Sequence, residues 1–162
     1  MGFAALVDGN YPLAVTRFEE MLVQARDRSH DGPSMVLAFY LRLLAWAACY
    51  AGDVLRATDL FGEAVAVSQE LGDTRGIAAS LEGLAGLAGA RGKPRDAARI
   101  FGAAESLRIA IRAPADQAER LLRERCLDSV REALGPEAFR ETRSEGRAMT
   151  RSEGLAYALR ST

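Results

Sequence analysis

Apolar residues recur every three to four positions along most of the chain, which is the spacing of helices that bury one side. Glycine, proline and short polar runs interrupt the pattern, and several interruptions carry signals for the start or end of a helix. Gly72 is placed to end one helix and Asp73 to cap the next, while Thr150 and Glu153 have the spacing of a capping box. The predicted helices span about 11–28, 34–51, 53–71, 74–91, 94–111, 115–134, 136–147 and 151–160.

Three segments of the chain share one pattern, in which glycine is followed by alanine five residues later and by phenylalanine four residues after that. The segments are 43 and 40 residues apart, and a threefold match at fixed spacing indicates an internal repeat. We expect glycine to end a helix in the left-handed conformation, alanine to let a neighbouring helix approach, and phenylalanine to fill the space between helices. The repeated positions are Gly9, Ala14 and Phe18; Gly52, Ala57 and Phe61; and Gly92, Ala97 and Phe101.

This pattern resembles the second helix of a tetratricopeptide repeat, a helix-turn-helix unit of 34 residues. The first helix of that unit is matched at Leu41, Leu44 and Ala45 and again at Leu81, Leu84 and Ala85. The repeats here are longer, at 40–43 residues, and Ala48 and Ala88 replace the usual tyrosine. The resemblance implies an all-α fold, a tetratricopeptide-like right-handed superhelix with repeats over 1–112 and a helical cap over 113–162 that packs on them.

The amino-acid composition favours helices and limits the cellular locations to be expected for the protein. Of 162 residues, 30 are alanine and 49% are apolar, and β-branched residues are scarce, which favours helix over sheet. The sequence holds no run of 18 apolar residues and no signal-peptide pattern, so we expect no membrane association. Cys49 and Cys126 are 77 residues apart, which fits neither a disulfide framework nor a zinc site. The sequence predicts a cytoplasmic protein.

Charge is distributed unevenly along the chain. Residues 1–90 carry a net charge of −5 and residues 91–162 a net charge of +4. Acids and arginines alternate in the basic half, with Glu119 and Arg123 four residues apart and Asp128 and Arg131 three apart. This alternation is typical of a solvated helix face with local ion pairs rather than of a nucleic-acid groove. We therefore expect no direct contact with nucleic acid.

Residues that could carry catalysis are few. His30 is the only histidine and lies in a Ser-His-Asp-Gly-Pro run, where adjacent residues cannot converge as a catalytic triad does. The glycines at 83, 86, 89 and 92 are followed by no GK[ST], so a phosphate-binding loop is not indicated. Cys126 falls in register with Leu122 and Val130 and is expected to be buried and inert. We expect no enzymatic activity, no cofactor and no metal.

Partner binding is the better candidate, because tetratricopeptide arrays line a concave groove with the first helix of each pair. Aromatic residues and arginine, which are enriched in binding hot spots, would form one wall, and small residues the facing one. The groove could bind a protein or peptide, or it could bind a small ligand and act as a sensor. Alternatively, the aromatic residues pack in the core. The candidate groove residues are Phe39, Arg42, Trp46, Tyr50, Glu82 and Gly86.

The first repeat lacks the front half of its first helix, because Met1 aligns with the seventh position of the repeat. The apolar side of the helix over 11–28 would then be short of partners at Leu13, Phe18 and Leu22. Exposed apolar patches of this kind normally mark interfaces. Two alternatives follow: the chain is a fragment of a longer protein, or a second copy completes the repeat in a homodimer.

The C-terminal part contains two sequence motifs, IFGAAE at 100–105 and GRAMTRSEG at 146–154. Together they resemble the helical region of large actinobacterial-type regulators. Such proteins join an ATPase core to tetratricopeptide-like repeats, and some add a LuxR-type DNA-binding domain or a nucleotide-cyclase domain. The resemblance implies a non-catalytic module for protein–protein interaction and regulation, belonging to a transcriptional regulator or a signalling ATPase. A free-standing homodimeric scaffold is the alternative that uses no larger chain.

Overall fold

The computed structural model describes residues 1–28, 32–115 and 117–162, and the described residues form nine helices and no strand. The all-α prediction is confirmed, and each predicted helix begins and ends within two residues of its expected bounds. The superhelical arrangement of the repeats stays a prediction. The helices are α1 (Gly2–Val7), α2 (Tyr11–Arg28), α3 (Met35–Tyr50), α4 (Val54–Glu70), α5 (Thr74–Ala90), α6 (Pro94–Ala110), α7 (Gln117–Leu134), α8 (Pro136–Arg147) and α9 (Arg151–Ser161).

A common turn ends five of these helices. Gly9, Gly52, Gly72 and Gly92 hold φ angles of 80°, 87°, 66° and 73°, in the left-handed region that glycine occupies without steric cost. In each turn the amide that follows donates to the carbonyl five residues earlier, which is the bond of a Schellman motif. Arg112 occupies the same place after α6, with φ 51°, although its side chain disfavours that conformation.

The chain comprises two compact units, Met1–Ile77 and Ala78–Thr162. In the first unit, α2 packs against α1 and α3, and α3 also packs against α4. In the second unit, α6 is central, because α7, α8 and α9 all pack against it, and α7 also meets α8. The sequence-based division at residue 112 follows the repeat pattern and stays a prediction.

The repeated alanines and phenylalanines lie in the core, as the sequence predicts. Each of the three alanines is fully buried and each of the three phenylalanines is at most 4% exposed. They occur one turn apart on α2, α4 and α6, so each of these helices presents the same small and large residue to the interior. The predicted capping box is also present at the start of α9, where the Thr150 amide donates to a Glu153 carboxylate oxygen at 2.7 Å.

Helices α6 and α8 approach each other so closely that their contact excludes side chains. A Cβ atom built on Gly102 would lie 2.1 Å from the carbonyl oxygen of Arg143, and one on Gly146 would lie 1.8 Å from the carbonyl oxygen of Arg99. Both distances are far below van der Waals contact, so only glycine fits on either side. The two helices therefore touch backbone to backbone.

The repeat supplies a matched test of this contact, because Gly62 follows Phe61 in α4 just as Gly102 follows Phe101 in α6. Nothing lies within 4 Å of a Cβ atom at Gly62. Gly62→Ala is expected to stabilise the chain by about 1 kcal/mol, because alanine is the better helix former. Gly102→Ala is expected to destabilise it by at least about 2 kcal/mol, because the added methyl overlaps backbone.

Urea unfolding followed by far-UV circular dichroism measures both effects on the free energy of unfolding. Opposite signs for the two substitutions would support the contact between α6 and α8. Stabilisation of similar size by both would show that the two helices do not meet at Gly102.

Candidate functional site

The predicted groove residues of the first unit lie on α3, and Trp46 among them is in the core. Trp46 is 2% exposed; its ring stacks on Tyr50 at 5.8 Å between centroids and meets the edge of Phe61 at 5.7 Å. Tyr50 in turn stacks on Tyr11 at 5.6 Å. The core alternative therefore describes Trp46, while Tyr50 is half-buried.

The first two turns of α3 present the accessible part of the same helix side. Met35 is 66% exposed, Val36 is 53% exposed and Phe39 is half-buried. The guanidinium of Arg42 lies over the Phe39 ring at 5.8 Å from its centroid, although Arg42 itself is only 7% exposed. This end of α3 therefore presents an apolar surface, and the guanidinium of Arg42 lies beneath it against the Phe39 ring.

The predicted oligomer interface on α2 is mostly covered within the first unit. Phe18 is 4% exposed and Leu22 is 5% exposed, and α1 is so close that a Cβ atom on Gly2 would lie 3.0 Å from the Phe18 ring. This corrects the expectation that the apolar side of α2 lacks partners, because both α1 and α3 pack against α2. Leu13, at 42% exposure, is the accessible member of the predicted set, and homodimer formation stays a prediction.

The predicted groove residues of the second unit, Glu82 and Gly86, are both buried on α5. The carboxylate of Glu82 receives two hydrogen bonds from Arg108, at 2.9 and 2.7 Å, and a third from Arg123 at 3.1 Å. Glu82 is 3% exposed and Arg108 6% exposed. Because its oxygens already accept three charged hydrogen bonds, Glu82 acts first as an anchor for α6 and α7.

Glu119 adds a second carboxylate to this buried cluster. It is 6% exposed and lies 3.5 Å from Arg108, so the expectation that Glu119 lies on a solvated helix face is wrong. Arg123 reaches inward as well, to Glu82 on α5. The predicted pair of Asp128 and Arg131 is confirmed at 3.1 Å. Burial lowers the pKa of Arg108, but the hydrogen bonds and charges of Glu82 and Glu119 outweigh it and raise that pKa above its ordinary value.

A second set of ion pairs joins α6 to α8. Glu105 accepts hydrogen bonds from Arg143 at 2.9 and 2.7 Å and from Arg147 at 2.7 and 2.7 Å. Burial raises the pKa of Glu105, but the hydrogen bonds and charges of Arg147 and Arg143 outweigh it and hold the pKa below its ordinary value. Each arginine offers two nitrogens to one carboxylate, which fixes the rotation of α8 about its axis.

The two regulator-like motifs, IFGAAE and GRAMTRSEG, lie against each other in the contact between α6 and α8. Gly102 and Glu105 of IFGAAE meet Gly146 and Arg147 of GRAMTRSEG through the backbone and ionic contacts described above. A Cβ atom on Gly154 would also lie 2.9 Å from that of Ala103. Each of the two motifs therefore supplies half of one interface.

The remaining candidate residues from the sequence are His30, Cys49 and Cys126. The Ser29-His30-Asp31 run lies outside the described residues. No group of three or more histidine, cysteine or acidic side chains among the described residues is placed to hold a metal ion. Cys49 is buried, whereas Cys126 is half-buried, which corrects the expectation that it is fully enclosed. No described helix has the length and apolar character needed to cross a membrane.

Glu82→Gln is expected to destabilise the chain by about 3–5 kcal/mol, because it leaves two arginines around a buried site without their shared carboxylate. Glu145→Gln is the matched control: Glu145 pairs with Arg99 but its side chain is 54% exposed, so the loss should stay within about 1 kcal/mol. Urea unfolding at pH 7 measures both. Equal losses of stability in the two variants would contradict the conclusion that the buried carboxylate of Glu82 contributes more than the exposed one of Glu145.

Acidification tests Glu105. Because its pKa in the folded chain is below the ordinary 4.5, its stabilising contribution is present above pH 4.5 and is lost as pH falls through the lowered pKa. Glu105→Gln should therefore be less stable than the unmodified chain at pH 7, and the difference should shrink below pH 4.5. Urea unfolding at pH 7, 5, 4 and 3 gives both curves. A difference that is the same at every pH would contradict this assignment.

The sequence of the chain is similar to part of several proteins that are named as transcriptional regulators. It is 33% identical over 120 residues to one protein of Mycobacterium bovis and to proteins of two Mycobacterium tuberculosis strains, each of which is named as an HTH-type transcriptional regulator. The aligned region is 74% of this chain but 14% of each relative, so the chain spans about a seventh of the length of the proteins it matches. No protein-family model and no solved structure matches it.

Proposed function

We propose that the chain is a non-catalytic regulatory module that works in transcriptional control by binding a protein partner. The observation that carries this proposal is the 33% identity to proteins named as HTH-type transcriptional regulators. The tetratricopeptide-like repeat pattern supports it, because arrays of short helical repeats generally act as binding surfaces. In this proposal the module recognises protein, and contact with DNA is made by another part of the regulatory assembly.

The beginning of α3 is the surface best suited to a partner in the first unit. Met35 and Val36 expose more than half of their surface, and Phe39 is half-buried beside them. Exposed apolar side chains around an aromatic residue are typical of a small protein-binding surface. Trp46, which lies further along the same side, contributes by holding α3 against α4 rather than by touching the partner.

The test compares transcript levels in the source organism. Deletion of the gene is expected to change the expression of a defined set of genes. The double variant Met35→Ser/Val36→Ser should reproduce that change, because it makes the partner surface polar and removes no buried group. Leu55→Ser is the matched control, since Leu55 is 74% exposed on α4 and lies outside the proposed surface.

Circular dichroism of the purified variants confirms that each is folded before the transcripts are compared. Unchanged transcripts on deletion would contradict the regulatory role itself. A changed set on deletion, together with normal transcripts in the double variant, would instead contradict the partner surface on α3.

A further inference from the structure

A cavity of about 410 Å³ opens in the second unit where α6 ends and α7 begins. Four arginines contribute to its wall, and the acidic lining residue among those described is Glu105. The volume is within the range of small-molecule sites. Asp116 follows the lining residue Ala115 in sequence and lies outside the described residues. The arginines are Arg108, Arg112, Arg120 and Arg123.

These arginines differ in how far their charge is already neutralised. Arg108 is bound by Glu82 and Glu119, as described above, so its guanidinium is committed to the protein. Glu105 is likewise committed, because both of its oxygens accept hydrogen bonds from arginines of α8. Arg120 has a distant partner, Glu124 at 3.9 Å, with both side chains more than half exposed. Little of the cavity's negative charge is therefore available to Arg112 and Arg120.

Arg123 supplies the most specific observation. Its Nη1 atom donates to Glu82, but its Nε atom is buried and has no hydrogen-bond partner within the described structure. A charged donor removed from water without an acceptor costs free energy. The same side chain lines the cavity and is 26% exposed.

We propose that this cavity binds a small anion through a phosphate or carboxylate group, held by the lining residues Arg112, Arg120 and Arg123. Guanidinium groups suit this chemistry because their planar set of donors matches two oxygens of a phosphate or carboxylate. The site is independent of the partner surface on α3, which belongs to the other unit. It provides the chain with a means of sensing an anionic metabolite.

Arg112 allows binding to be separated from folding. Its backbone is left-handed, with φ 51°, a conformation that glycine adopts without steric cost. Arg112→Gly should therefore leave the chain as stable as before or more stable, while it removes one cation from the cavity. Weaker binding by this variant could not be attributed to unfolding.

The experiment is isothermal titration calorimetry of the full chain with inorganic phosphate, pyrophosphate and citrate, at constant ionic strength. We expect saturable binding of at least one of these probes, and preference between pyrophosphate and citrate identifies the anionic group. Arg112→Gly and Arg120→Gln should each weaken binding at least tenfold. Arg95→Gln, which replaces an exposed arginine of α6 outside the cavity, should bind as the unmodified chain does.

Two results would overturn the proposal. Absence of saturable heat with all three probes would show that the cavity is not an anion site. Equal affinity of the Arg112→Gly, Arg120→Gln and Arg95→Gln variants would show that anions associate with the surface arginines without using the cavity. Thermal unfolding of each variant, recorded without ligand, verifies that all are folded at the temperature of the titration.

Discussion

The second unit depends on the backbone contact between α6 and α8, in which Gly102 and Gly146 each face the main chain of the other helix. Two helices can approach this closely only where neither carries a side chain at the crossing. The close approach brings Glu105 within reach of two arginines of α8 and sets Ala103 against Gly154 of α9. Since α7 also packs on both α6 and α8, this one crossing bears on the positions of both α7 and α9.

The same contact shows how a repeat acquires different roles along one chain. Gly62 and Gly102 occupy equivalent positions after the buried phenylalanines of α4 and α6, yet one faces open space and the other faces backbone. The repeated residues fix what each helix does for its own hairpin: the left-handed turn, the small alanine and the large phenylalanine. What a neighbouring helix adds is decided by the sequence of that neighbour, and α8 brings a glycine to meet the one in α6.

Local physical chemistry explains why the helices, caps and core repeats could be predicted from the sequence. The glycine turns, the Thr150–Glu153 cap and the spacing of Ala and Phe each depend on residues a few positions apart. The buried cluster of Glu82, Arg108 and Arg123 could not be predicted, because its members are 26 and 41 residues apart and are brought together only by packing. One signal was present: Glu82 is the single charged residue between Ile77 and Ala90. A lone charge in an apolar helix needs a partner from elsewhere in the fold.

The aromatic stack around Trp46 has an optical consequence. Trp46 is the chain's one tryptophan, and it lies within Met1–Ile77, buried against Tyr50 and Phe61. Its fluorescence therefore reports the environment of the first unit, whereas the helical signal in circular dichroism comes from every helix of the chain. Comparing the emission of this indole with the circular dichroism signal therefore distinguishes loss of the first unit from loss of the second. No label or added chromophore is needed.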